Sequence, residues 1–145
     1  MIRAVVDTVV FVRGTLSRKG KSAFVIQAFK QQKFLLITSR DHVEEVFHTL
    51  GYPRLRRKYN LTDRRCKKLA GQIAVRGVVL SPFDSIAICR DPDDDYLIEI
   101  ALLGQADYLV TEDNDLLGDE AVFQFLAERG IKVARVDEFV RALGE

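Results

Sequence analysis

Three aspartates stand where a buried strand ends or a helix begins, and their side chains could hold metal ions. Asp7 directly follows the apolar run Ile2–Val6, Asp113 follows a second apolar run, and Asp95 lies near the start of the predicted helix Asp93–Leu103. Clustered carboxylates repel one another unless cations neutralise them, and Mg²⁺ and Mn²⁺ prefer such hard oxygen ligands. Two ions held in this way can activate a water molecule and stabilise the leaving oxygen of a phosphodiester. The spacing therefore suggests metal-dependent phosphodiester hydrolysis.

Each acid taken alone also has a purely structural interpretation. Asp7 could belong to a turn or cap a helix, and Asp93, Asp94 and Asp95 could complement the N-terminus of the helix that they begin. Asp113 could belong to an Asx turn. The hypothesis of a metal site therefore depends on the conjunction of these acids rather than on any one of them.

Positive charge is concentrated in one segment of the chain. Between Arg54 and Lys68 there are eight basic residues and the single acid Asp63, so the segment carries +7 and the rest of a chain whose total is +1 carries −6. A basic surface beside an acidic cluster suits an enzyme that attracts a polyanion, but the same pattern is typical of a solvated helical hairpin. The eight basic residues are Arg54, Arg56, Arg57, Lys58, Arg64, Arg65, Lys67 and Lys68.

Short apolar runs alternate with amphipathic patterns along the chain. The predicted strands are Ile2–Val6, Phe34–Ile37, Tyr108–Val110 and Ile131–Val133, with Val78–Leu80 as a weaker fifth. The predicted helices are Ser22–Gln31, one capped by Ser39, one capped by Thr62 and running to about Arg76, Asp93–Leu103, Glu120–Glu128 and Val136–Leu143. The alternation predicts a single α/β domain over residues 1–145, a three-layer sandwich with a central, mainly parallel sheet of four to five strands. In such sheets the functional site lies beyond the carboxyl ends of the strands.

The composition is that of an ordinary globular domain, with 48% hydrophobic and 30% charged residues. Cys66 and Cys89 lack the spacing of a zinc site, which favours reduced thiols. No apolar run approaches the roughly 18 residues of a membrane span, and the opening apolar run is too short for a signal peptide. We therefore expect a soluble, cytoplasmic protein without a membrane partner.

Several motifs follow one another in an order that resembles a known family. The segments Asp91–Asp95 (DPDDD) and Ala106–Leu117 (ADYLVTEDNDLL) are the most specific, and the opening Val5–Thr8 (VVDT) is weaker. A helix within Ser39–Pro53 carries Glu45, and Val136–Phe139 (VDEF) follows the last strand. Over nearly its whole length the chain resembles a PIN domain, and in particular the branch that contains the toxins of toxin–antitoxin systems.

The resemblance implies a ribonuclease that uses Mg²⁺ or Mn²⁺ and leaves 3′-hydroxyl and 5′-phosphate ends. The acids of the family, which bind the metal and carry catalysis, correspond to Asp7, Glu45, Asp95 and Asp113; secondary positions are Asp115, Thr8 and Thr111. Asp95 is preferred to Asp94 because its spacing to the strand that ends at Thr111 matches the family. Glu45 has the resemblance as its only support, because on a helical wheel it lies nearly opposite the apolar stripe of its helix.

The partners expected from the same resemblance are RNA, an antitoxin protein and a second copy of the chain. Arg13 and the eight basic residues of the segment Arg54–Lys68 would contact RNA phosphates. Such contacts position the strand and specify little sequence.

This chain departs from the family pattern at position 9. The family has Asn two residues after the first Asp, whereas this chain has Val9. An isopropyl group cannot make the hydrogen bonds with which an amide orients a carboxylate. We therefore expect weakened metal binding and low activity, and the alternative function is a PIN-fold module that binds RNA or protein without cleaving it. A phosphatase of the haloacid dehalogenase type fits less well, because that family needs a second Asp at this position.

Replacement of Val9 by Asn tests this expectation. Val9→Asn should raise metal affinity and the rate of RNA cleavage by about tenfold or more, the usual scale for residues that orient metal ligands. Calorimetry with Mn²⁺ and cleavage of labelled RNA measure the two effects. Unchanged affinity and unchanged rate would show that the amide is dispensable here.

Overall fold

The central element of the fold is a sheet of five parallel strands. A computed structural model describes residues 1–144, in which the strands are β1 (Arg3–Val6), β2 (Leu35–Ser39), β3 (Val78–Leu80), β4 (Tyr108–Val110) and β5 (Lys132–Ala134). Their order across the sheet is β3-β2-β1-β4-β5. In the register, Val5 lies beside Ile37 on one side and beside Leu109 on the other. Because the strands run in the same direction, the residues that follow β1, β2 and β4 meet at one edge of the sheet.

Helices connect the strands and cover the sheet. They are α1 (Thr8–Leu16), α2 (Lys21–Lys30), α3 (Arg40–Leu50), α4 (Pro53–Tyr59), α5 (Asp63–Arg76), α6 (Asp95–Leu103), α7 (Asn114–Leu117), α8 (Glu120–Ala127) and α9 (Val136–Ala142), and a short 3-10 helix, Pro92–Asp94, precedes α6. The Ser39 hydroxyl accepts the backbone N–H of His42 at 3.1 Å, and the Thr62 hydroxyl accepts that of Arg65 at 3.2 Å. Both predicted helix caps are therefore confirmed, and each satisfies a backbone donor that the helix itself cannot.

The two faces of the sheet support separate apolar cores. On one face, Ala4 and Val6 of β1 pack with buried residues of α1, α2, α3, α5 and α9, among them Phe29 and Phe139. On the other face, Val5 packs with residues of α6, α7 and α8. This alternation along β1 is what a strand buried on both sides requires. The predicted three-layer α/β sandwich is confirmed.

The strand predictions are confirmed, with boundaries that shift by one or two residues, and the weak candidate Val78–Leu80 is a true edge strand. The sequence patterns missed two helices, α1 and α7, whereas α4 and the start of α5 form the helical hairpin that was one interpretation of the basic segment. Helix α1 contains the β-branched run Val9–Val12 broken only by Phe11, a composition more typical of strands. It is helical because its buried residues pack against α2 and α3, and such tertiary packing overrides local propensity.

Two further properties of the described residues bear on the expectations from sequence. No helix among residues 1–144 is both long enough and apolar enough to cross a membrane. Cys66 is buried, Cys89 is half-buried, and both thiols are free.

Two glycines give a matched test of the packing between α1 and α2. A Cβ atom at Gly14 would overlap the carbonyl oxygen of Ser22 and the side chain of Ile26, whereas a Cβ atom at Gly71 in α5 would meet nothing within 4 Å. Gly14→Ala should lower the free energy of unfolding by about 1–3 kcal/mol through overpacking. Gly71→Ala should raise it by about 0.5–1 kcal/mol, since alanine is the better helix former. Urea denaturation measures both, and equal effects would contradict this close helix contact.

Candidate active site

Asp7 lies at the centre of the carboxyl edge of the sheet. It directly follows β1, and its backbone N–H donates to the carbonyl of Val110 at 2.9 Å. Its carboxylate is buried and accepts a hydrogen bond from the Thr111 hydroxyl, with 2.7 Å between Oγ1 and Oδ2. Asp7 occupies the N-cap position of α1 but makes no capping bond with its side chain. Its carboxylate is therefore directed by the neighbouring strand rather than used to cap the helix.

Thr111 also positions Asp113. The backbone N–H of Asp113 donates to the Thr111 hydroxyl at 3.0 Å, so one buried oxygen connects the two acid-bearing segments. Asp113 caps α7, and its Oδ1 accepts the backbone N–H of Asp115 at 2.9 Å. The side chain thus has an Asx-type role and still contributes its charge to the neighbourhood of Asp7. Asp115 is exposed in the first turn of α7.

Glu45 reaches the site from α3 through two hydroxyl donors. The Tyr96 hydroxyl donates to Glu45 Oε2 at 2.9 Å, and the Thr8 hydroxyl donates to the same oxygen at 3.2 Å. Glu45 is exposed overall, as the helical wheel indicates, but its carboxylate turns along the helix surface toward α1 and α6. The wheel therefore predicts the exposure of the residue and not the direction of its carboxylate.

Tyr96 is a site residue that the sequence patterns did not predict. Burial, and then the negative charge of Glu45, raise the pKa of its phenol, so the hydroxyl stays protonated and donates. Behind it lies His42, whose ring packs edge-on against the Tyr96 ring with centroids 5.5 Å apart. Burial lowers the pKa of His42 to about 4, and the neutral ring lies 3.2 Å from the Thr38 hydroxyl. A tyrosine directly after three consecutive aspartates was the available sequence signal.

Asp95 is engaged by the backbone. Its Oδ1 accepts the N–H groups of Ile88 at 3.0 Å and Cys89 at 2.8 Å. Burial raises the pKa of this carboxyl, but the bonds from Cys89 and Ile88 outweigh it and hold the pKa below its ordinary value. The side chain thereby orders the chain that leads from β3 into α6.

Asp94 has the opposite environment. Its Oδ2 is buried and has no hydrogen-bond partner within the described part of the chain. Burial, and then the charges of Asp113 and Asp7, raise its pKa to about 7. A buried carboxylate oxygen without a hydrogen-bond donor, close to the charges of two other acids, has the chemistry of a cation ligand. The surroundings therefore favour Asp94 over Asp95 as the acid that belongs with Asp7 and Asp113, and the assignment of Asp95 stays a prediction.

The negative charges of this edge are not neutralised by neighbouring cations. In residues 1–144, no Lys or Arg forms an ion pair with Asp7, Glu45, Asp94 or Asp113. Burial, followed by Asp113 and Glu45, raises the pKa of Asp7 against the effect of its hydrogen bonds. Within the same residues no group of three His, Cys, Asp or Glu side chains is arranged so as to hold a metal ion. The donors thus have the chemistry that suits Mg²⁺ or Mn²⁺, but in the described residues three of them do not come close enough to hold one ion together.

A cleft of about 340 Å³ opens beside Glu45. Its walls include Asp41, Asp84 and Asp95 from three different segments. Glu99 lies deeper and accepts the backbone N–H groups of Phe83 and Asp84, each at 2.9 Å, which holds the chain after β3 in place. The cleft beside Glu45 is therefore lined by acidic side chains.

The basic residues predicted to contact RNA have two different environments. Arg56 donates to the carbonyl of Leu50 at 3.1 Å and is paired with Asp63, so it joins α3, α4 and α5. The others are exposed and form no ion pair within residues 1–144: Arg13, Arg54, Arg57, Lys58, Arg64, Arg65, Lys67 and Lys68.

Val9 is 51% exposed on the first turn of α1. A hydrogen bond to the Asp7 carboxylate comes instead from Thr111, which directly follows β4. One orienting donor for Asp7 is therefore present without an amide at position 9.

The fold is a parallel α/β sandwich with acids at the carboxyl edge of its sheet. Proteins of this class bind their ligands beyond the carboxyl ends of the strands. The family model described as "PIN domain" matches residues 3–115, and the chain belongs to the PIN domain family. PIN domains are generally nucleases and typically use divalent metals. An uncharacterized protein from Methanocaldococcus jannaschii is 27% identical over 141 residues, which are 96% of this chain and 90% of that protein. No solved structure compared with the chain matches it.

The contrast between Asp94 and Asp95 predicts opposite effects of the same substitution on the metal-free protein. The pKa of Asp94 is raised from 3.8 to about 7, so ionisation of this carboxyl destabilises the folded protein. The destabilisation is complete above pH 7, decreases as the pH falls, and is absent below about pH 4. Asp94→Asn should therefore raise the free energy of unfolding at pH 8 by about 1 kcal/mol, after allowance for solvent screening of a partly exposed group. Asp95→Asn should lower it by about 1 kcal/mol because a charged acceptor of two backbone bonds becomes neutral.

Urea denaturation in EDTA at pH 8 and pH 5 measures these effects. The gain from Asp94→Asn should be smaller at pH 5. A destabilising Asp94→Asn, or a stabilising Asp95→Asn, would reverse the roles given to the two side chains.

Proposed function

We propose that this protein is a metal-dependent ribonuclease that hydrolyses RNA phosphodiester bonds at the carboxyl edge of its sheet. The observation that carries the proposal is that the Thr111 hydroxyl bonds both to the Asp7 carboxylate and to the backbone N–H of Asp113. The charges of both acids act on Asp94, and among residues 1–144 no Lys or Arg forms an ion pair with any of the three. Such a set of hard oxygen donors is costly to a folded protein unless it serves a ligand of opposite charge.

The proposed ligands of Mg²⁺ or Mn²⁺ are Asp7, Asp113, Glu45 and one acid from the pair Asp94 and Asp95. The environment of Asp94 supports its choice, because its buried Oδ2 has no partner within residues 1–144, whereas Oδ1 of Asp95 already accepts two backbone N–H groups. A divalent ion at this edge supplies Lewis acidity to the phosphodiester and to the attacking water. Thr111 holds Asp7 in place, and Thr8 and Tyr96 direct Glu45 toward the same edge.

The proposed substrate is RNA, cut to leave a 3′-hydroxyl and a 5′-phosphate. Its support is the family, together with the exposed and unpaired basic residues of α4 and α5. These side chains attract the polyanion that the acidic edge by itself repels. Arg56 contributes differently from its neighbours, since its pairing with Asp63 orders the helices that carry them.

A toxin role with an antitoxin partner and formation of a homodimer are carried over from the family as further parts of this proposal. Location in the cytoplasm is also part of it, and its support is the sequence, in which no signal peptide or membrane-spanning run was recognised. The alternative function, a module that binds RNA or protein without cleavage, has the departure at Val9 as its support. The donor that Thr111 offers to Asp7 favours the nuclease, since it supplies an orienting contact from the segment that follows β4.

Substitutions of Asp7 and Glu45 test the proposed activity, and the neighbouring Glu44 provides a control. Asp7→Asn and Glu45→Gln should each reduce Mg²⁺- or Mn²⁺-dependent cleavage of labelled RNA by about 100-fold or more, the usual scale for loss of one charge-stabilising group. Glu44→Gln is the matched control, because Glu44 is exposed and pairs with Arg40 at 3.5 Å. It should cleave at the native rate.

Excess EDTA should abolish cleavage by the native protein. Cleavage that persists in EDTA, or that is equal in the native protein and Asp7→Asn, contradicts the mechanism. RNA binding that calorimetry detects without any metal binding would favour the non-catalytic alternative.

A further inference from the structure

A second cleft, of about 320 Å³, lies between α1, α2 and α5. Its apolar floor includes Ile26, Leu61 and Leu69. Its rim carries basic residues from three separate segments of the chain: Arg18, Lys30 and Arg65. An apolar floor with convergent polar groups at the rim is the usual form of a small ligand site.

The positive charges at this rim are not balanced by acids. None of Arg18, Lys30 and Arg65 forms an ion pair within residues 1–144. Burial lowers the pKa of Lys30, and the charges of Arg65 and Lys68 lower it further. Arg56 on α4 provides the contrast, since it is paired with Asp63. The cleft therefore holds several cations close together, and an anion in it would relieve their repulsion.

The position of the cleft relates it to the acidic edge. Helix α1 begins directly after Asp7, and Gly14, Thr15 and Ser17 from its end form part of the cleft wall. Nine residues of helix at 1.5 Å each place the two ends about 13 Å apart. Since Gly14 has no side chain, α2 approaches α1 closely and brings Lys30 to the rim. A single strand of RNA bound at the acidic edge can extend over this distance.

We propose that this cleft binds a backbone phosphate of the RNA substrate at a distance from the bond that is cut, with Lys30 and Arg65 as its principal contacts. The inference rests on the proposed ribonuclease function and adds Lys30, which lies outside the basic segment Arg54–Lys68. Ile26, Leu61 and Leu69 at the floor offer an apolar surface to the sugar or base attached to that phosphate. The site positions the strand and does not select its sequence.

Binding in EDTA tests this site separately from cleavage. The probe is a labelled single-stranded RNA of about 12 nucleotides, within the range of site sizes known for single-strand binding proteins. Lys30→Gln and Arg65→Gln should each weaken its binding, measured by fluorescence anisotropy, by about fivefold, and should reduce the slope of log affinity against log salt by about 0.7. Lys30→Arg keeps the charge and should retain most of the affinity.

Lys132→Gln is the control for a general loss of positive charge. Lys132 lies on the edge strand β5 and is paired with Glu138 at 3.3 Å, so its removal should leave RNA affinity unchanged. An RNA of about four nucleotides covers less of the surface, so its affinity should depend less on Lys30 than that of the longer RNA. Thermal unfolding of each variant verifies that the fold is retained.

The outcomes separate the two proposals. RNA affinity that depends on Lys30, in a protein that does not cleave RNA, supports the subsite and contradicts the ribonuclease. Cleavage by the native protein, together with native affinity and salt slope in Lys30→Gln and Arg65→Gln, overturns the subsite and leaves the ribonuclease intact. If these variants lose affinity for inorganic phosphate but not for RNA, the cleft serves a free anion and the inference is wrong.

Discussion

The hydroxyl of Thr111 bonds to the segments of two acids, Asp7 and Asp113, whose charges repel each other. It donates to the Asp7 carboxylate at 2.7 Å and accepts the backbone N–H of Asp113 at 3.0 Å. Both acids follow neighbouring strands of one parallel sheet, so their proximity is built into the register of β1 and β4. Burial strengthens the hydrogen bonds and the repulsion alike, because both act in a region of low dielectric. The remaining acids of the site are arranged around this link.

The acidic residues of this protein divide into those that serve the backbone and those that do not. Asp95 and Glu99 accept N–H groups from the segment between β3 and α6, a segment with little regular structure of its own. Their charges are therefore used to satisfy buried donors, which would otherwise be costly. Asp94 and Asp7 have raised pKa values, so their ionisation works against folding. A protein that keeps such groups gives up stability at the place where a ligand of opposite charge would restore it.

Charges of opposite sign lie on separate surfaces of the protein. The acids gather at the carboxyl edge of the sheet, whereas the basic residues of α4 and α5 remain exposed. Within the basic region, Arg56 alone is tied to an acid among the described residues, and this pair holds the helices together. The two clefts, which are of similar size, also differ in charge. The cleft beside Glu45 is lined by acids, and the cleft between α1, α2 and α5 carries basic residues. Helix α1 runs from one charge environment to the other.

Apolar periodicity and capping chemistry are local properties of the chain. The sequence alone was therefore enough to predict the five strands, most of the helices and two helix caps. It also predicted that the acids lie at the carboxyl edge of the sheet. It could not reveal that Val9–Val12 is helical, since only packing against α2 and α3 overrides a β-branched run. Only the tertiary structure shows what surrounds each carboxylate. Asp94 and Asp95 are adjacent in the chain, yet the charges of Asp113 and Asp7 raise the pKa of the first, while the second accepts backbone N–H groups. Periodicity placed Glu45 in solvent, and contacts from two other helices, through Thr8 and Tyr96, decided the direction of its carboxylate.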